Sequence, residues 1–158
     1  MKKLLVIPLL LLFSTGFAQI QSFESEYVEM LKKDIQDESR RIVAENLTLT
    51  EEQAEIFWPL YDEYDAAYDE LVNDRVKVIE DYIMNYYGLE EETGKELIAK
   101  SIELKQRAVN IQDEYINKML DVLPISVVGK FFQIDNRIAA IIEIARLATI
   151  PLVREEEQ

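Results

Sequence analysis

Leu49-Thr50-Glu51-Glu52-Gln53, followed closely by Phe57-Trp58-Pro59-Leu60-Tyr61, spells out a helix start. Thr50 can accept from the backbone N–H of Gln53, and the Gln53 side chain can reach back to the N–H of Thr50. Glu51 and Glu52 add negative charge at the positive end of the helix. A cap of this kind is worth about 1 kcal/mol. Beyond it, Phe57, Tyr61, Tyr64, Tyr68, Leu71, Ile79, Tyr82 and Tyr86 recur at three-four spacing, one continuous apolar stripe. The spacing predicts a helix from Glu51 to Tyr87, about 55 Å long, with Gly88 as a left-handed C-terminal cap. Pro59 removes the hydrogen bond to the carbonyl of Glu55, which predicts a bend rather than a break.

The pattern on either side is also helical. Upstream, Phe23, Tyr27, Leu31, Ile35 and Ile42 mark a first helix from Phe23 to Glu45, closed by Asn46-Leu47-Thr48-Leu49. Downstream, Thr93-Gly94-Lys95-Glu96 has the form of a second capping box, opening a third helix that runs toward Leu123 and stops before Pro124. Two stripes run along it: Ile98, Ile102, Val109, Ile116 and Met119 on one, Leu97, Leu104, Ala108, Ile111 and Tyr115 on the other. Such a helix should touch more than one neighbour. A last helix, Ser126 to Thr149, is apolar around most of its circumference and calls for burial on several sides. Within it Glu143 and Arg146 are three apart and able to pair. Glycine and proline number only 4 each, and no low-complexity linker interrupts the pattern. The fold class is all-α, with about four helices.

At the start, Lys2 and Lys3 precede an apolar run from Leu4 to Leu12 and the small residues Gly16 and Ala18. This has the form of a cleavable secretory signal over residues 1–18, too short to span a bilayer, which needs about 20 apolar residues. The remaining residues, 19–158, are one domain's worth of chain.

Composition narrows the chemistry. The 17 Lys and Arg are outnumbered by 31 Asp and Glu, for a net charge of -14, and the cations do not cluster in sequence. Nucleic acid and anionic lipid surfaces are poor partners for such a field. Cysteine and histidine are both absent, which removes thiol nucleophiles, imidazole bases and the usual zinc, copper and di-iron ligand sets. No nucleophile-base spacing or phosphate loop is present, so no catalytic residues, cofactor or resident metal is expected.

Two features admit more than one reading. Phe57, Trp58, Tyr61, Tyr64 and Tyr68 on the second helix, with Phe131 and Phe132 on the last, can form an aromatic face for a client or a second copy. The alternative is core packing, favoured for Phe57 and Tyr61 by their stripe spacing. Glu55, Asp62, Asp65 and Asp69 line a neighbouring face as a solvated acidic surface, or as oxygen ligands for calcium or magnesium. Paired carboxylates also serve glycoside hydrolysis, but an all-helical chain offers little to shape that pocket. Asn46-Leu47-Thr48 matches a glycosylation sequon, relevant only to a chain passing through the endoplasmic reticulum.

Leu49, Thr50 and Gln53, behind an export signal in a small helical chain, resemble the LTxxQ motif of the Spy/CpxP family of periplasmic chaperones and stress regulators. The likeness extends from about Ser22 to Val153. A second motif position, Leu123-Pro124-Ile125-Ser126-Val127, keeps only the leucine. The resemblance implies a long antiparallel helical hairpin, an elongated, curved, cradle-like homodimer, and a periplasmic location. It also implies ATP-independent binding of unfolded or partly folded envelope proteins. Alternatively, as in CpxP-like proteins, the partner is a membrane sensor protein and the role is envelope-stress regulation. In either case Leu49, Thr50 and Gln53 set shape and perform no chemistry. Spy-like cradles present positive charge, so an acidic chain would select basic clients or hold them through apolar contact.

Overall fold

The computed structural model describes residues 37–153. The proposed signal, the start of the first helix with Phe23, Tyr27, Leu31 and Ile35, and the acidic tail Glu155-Glu156-Glu157 lie outside them. Among the described residues there are four helices and no strand. They are α1, described over 37–46, α2 (Glu51–Met84), α3 (Glu91–Leu120) and α4 (Ile125–Thr149). The chain divides into two compact units, Met1–Arg41 and Ile42–Gln158. In the described part of the first, Arg41 pairs with Glu38 one turn earlier. All that follows concerns the second.

The start of α2 forms as its sequence dictates. Gln53 N–H donates to Thr50 Oγ1 at 3.2 Å, and Thr50 N–H donates to Gln53 Oε1 at 3.0 Å. The 34-residue helix runs unbroken through Pro59. An interior proline costs about 3 kcal/mol, but Phe57 and Tyr61 on either side are buried, each contributing about 1.5 to 3 kcal/mol, so packing outweighs the lost hydrogen bond.

Three helix boundaries differ from the sequence reading by more than one residue. α2 stops at Met84 rather than Tyr87. Asn85 caps it, its Nδ2 donating to the Asp81 carbonyl at 2.7 Å, while Ile83, Met84 and Tyr87 stand in water and provide no packing to hold another turn. Gly88 closes the following turn through a bond from its N–H to the Asn85 carbonyl, and its backbone is not left-handed. α3 begins two residues before Thr93, so the Thr93–Glu96 box does not form. Glu91 and Glu92 occupy its first turn, where they complement the helix dipole, and Lys95 pairs with Glu91 at 2.6 Å. α3 also ends early, at Leu120. A residue preceding proline is steered out of helical geometry, so Leu123 leaves the helix and Pro124 becomes the cap residue of α4.

Contacts between α2 and α3 run in opposite directions along the two helices. Tyr64 meets Tyr115, whereas Arg107, earlier in α3, reaches Asp74 at 2.7 Å and Glu70 at 3.4 Å, later in α2. The main core joins Val43 and Leu47, the first half of α2, the end of α3 and the first half of α4. At its centre Phe131 packs against Phe57, Tyr61 and Tyr64 with ring centroids 5.3 to 6.0 Å apart. Edge-to-face rings of this kind add about 0.5 to 1.5 kcal/mol per pair beyond the area they bury.

Candidate functional site

The seven aromatic residues marked as a binding face separate into two groups. Phe57, Tyr61, Tyr64 and Phe131 are sealed in the core and cannot present a ring to a client or a second copy. For Phe57 and Tyr61 this is the core packing that their spacing favours; for Tyr64 and Phe131 the face reading is corrected to core packing, because α4 covers the stripe on α2 through Phe131. Trp58 and Tyr68 are half-buried at the edge of that core, and Phe132 is exposed beside its buried neighbour Phe131. Leu49 packs partly against the same core, and Thr50 and Gln53 hold the cap.

The apolar surface that does meet water is aliphatic. On α3 the second stripe is the packed one, through Leu97 and Leu104, while Ile98, Ile102 and Val109 of the first are exposed, Ile98 and Ile102 to more than 60%. Only the far end of that first stripe, Ile116 and Met119, joins the core. α4 divides along its length. Val127, Val128, Phe131 and Ile134 are buried, whereas Ile141 is 68% exposed and Ile144 is 70% exposed, with Leu147 exposed as well. The several-sided burial expected of α4 therefore ends halfway along it. Single exposed aliphatics are ordinary, whereas here they recur in rows on two helices.

One polar cluster was not anticipated from the sequence. Tyr64 Oη donates to Asp135 Oδ2 at 2.9 Å, and Gln112 Nε2 donates to the same oxygen at 2.7 Å, so α2, α3 and α4 meet at one carboxylate. Its signal was legible: Asp135 lies four residues after Phe131 and three before Ile138, a charged residue on an apolar stripe. Burial raises the Asp135 carboxyl above its usual range, and the two donors oppose that shift. The Tyr64 phenol is raised far above its ordinary value, first by burial and then by the neighbouring carboxylate. A phenol so hard to ionise is a hydrogen-bond donor, which suits a structural clasp.

On the acidic face of α2, no group of three or more Asp or Glu among the described residues converges closely enough to hold a metal ion. No helix of the described residues is long and apolar enough to cross a membrane. The cap at Thr50 and Gln53 orders backbone and presents no reactive group, as is the case for the aliphatic rows.

Comparison of the chain with protein-family models, with curated proteins and with solved structures finds no match.

Proposed function

We propose that this chain is an exported, ATP-independent chaperone-like protein that binds partly unfolded envelope proteins in the periplasm. The observation that carries the reading is the exposed aliphatic surface, Ile98, Ile102 and Val109 on α3 with Ile141, Ile144 and Leu147 on α4, in a chain of net charge -14. Apolar rows within an acidic surface bind apolar segments weakly while the charge keeps the protein itself soluble. The resemblance of Leu49, Thr50 and Gln53 to the LTxxQ motif, and the export-signal pattern at Lys2, Lys3 and Leu4–Leu12, support the same reading.

In this proposal α2 and α3 form a long hairpin, and two copies pair into an elongated, curved, cradle-like dimer. Clients dock on aliphatic side chains, with Trp58, Tyr68 and Phe132 at the margin. Light scattering tests it: the protein at equimolar ratio slows aggregation of several chemically denatured proteins without nucleotide. Failure to slow any of them overturns the proposal. Sedimentation at micromolar concentration tests the dimer separately, and a monomer there removes the cradle.

A further inference from the structure

Between the second half of α2, the first half of α3 and the end of α4 lies a cavity of about 320 Å3. Leu97 and Leu104, both buried, form its floor, and Val78, Ile79, Ile98 and Ile102 its walls. Among the described residues, the charged side chains that line it are Arg75 from α2, Lys105 from α3 and Arg146 from α4, all three of them basic. In a chain where acids outnumber bases 31 to 17, that composition is the reverse of the average surface. Glu143 stands beside the cavity, paired with Arg146 at 2.6 Å. Its carboxyl is held below the usual range chiefly by that hydrogen bond, with longer-range help from Arg75 and Lys105. Among the described residues the lining thus carries three cations, of which Arg146 is paired with Glu143.

We propose that this cavity binds a small amphiphile with a carboxylate head and an aliphatic tail, of the size of a medium-chain fatty acid. The tail lies on Leu97, Leu104 and Ile79, and the head meets Arg75 and Lys105. The volume falls at the small end of ligand pockets, about 300 to 1,000 Å3, which excludes a folded partner and suits a single chain. Charge complementarity selects the head: apolar walls beside the cations strengthen their field toward an anion, while the acidic remainder of the protein repels anions elsewhere. An apolar tail alone gives no reason for three helices each to contribute a cation.

Calorimetric titration of the purified protein with decanoate, below the concentration at which it self-associates, tests the site. One saturable site is expected, with decylammonium, which has the same tail and the opposite head, binding about tenfold more weakly or worse, the scale of one lost charge-assisted contact. Lys105→Gln, at an exposed position, should weaken decanoate by a similar factor. Ile102→Trp, which fills the cavity from its exposed wall, should abolish saturation while the helical circular dichroism is unchanged. No saturable binding overturns the proposal, as does equal binding of the two amphiphiles or indifference to both substitutions. None of these outcomes depends on aggregation suppression, so the two proposals stand or fall separately.

Discussion

Tyr64 and Asp135, separated by 71 residues in sequence, are joined by a 2.9 Å hydrogen bond from the phenol to the carboxylate Oδ2, which Gln112 also engages. The bond fixes the rotation of α4 against α2 at the point where Phe131, one turn before Asp135, enters the aromatic core. Tyr64→Phe keeps the ring packing and removes the donor, leaving a largely desolvated carboxylate with one partner fewer. Urea denaturation should show a loss of about 1 to 2 kcal/mol.

Asp135 also makes stability depend on pH. Its folded-state pKa is raised, so the native state holds this proton more tightly than the unfolded chain does. The contribution is greatest at acid pH and is lost as pH rises through the raised value. Relative to Asp135→Asn, the wild type should therefore lose ground as pH climbs from about 4, the ordinary aspartate range, toward neutrality. Urea midpoints of both proteins across that range check the sign; a difference that grows in favour of the wild type would contradict it.

Phe57 and Phe132 should behave oppositely. Phe57 is fully buried and touches Trp58, Tyr61 and Phe131, so Phe57→Ala should cost about 3 to 5 kcal/mol. Phe132 is exposed, and Phe132→Ser should change stability by no more than about 0.5 kcal/mol. Thermal unfolding followed by circular dichroism separates them.

Gly129, inside α4, has open space where a Cβ would stand and no left-handed backbone. Gly129→Ala removes conformational freedom from the unfolded chain without a clash, and should stabilise by about 0.5 to 1 kcal/mol. A raised Tm with unchanged helical content is the expected result.

The reciprocal bonds of Thr50 and Gln53 predict coupling between them. Thr50→Ala should cost about 1 kcal/mol, and the double variant with Gln53→Ala less than the sum of the two single ones. Equal additivity in a denaturation cycle would mean that the two bonds act independently.

By itself the sequence determined what a few neighbouring residues can settle: helical periodicity, the Thr50 cap and the Glu143–Arg146 pair, all closed within three or four residues. It did not determine where α2 and α3 end or which stripe of α3 is covered. At Met84 the outcome turns on whether another turn finds packing, and at Leu97 against Ile98 on which helix lies alongside. Stripe spacing favours Phe57 and Tyr61 as core, but Tyr64 joins them only because Phe131 arrives from the far end of the chain. The Tyr64–Asp135 clasp and the convergence of Arg75, Lys105 and Arg146 have the same origin. Desolvation and charge proximity act through space between residues dozens of positions apart, so only the tertiary structure could decide them.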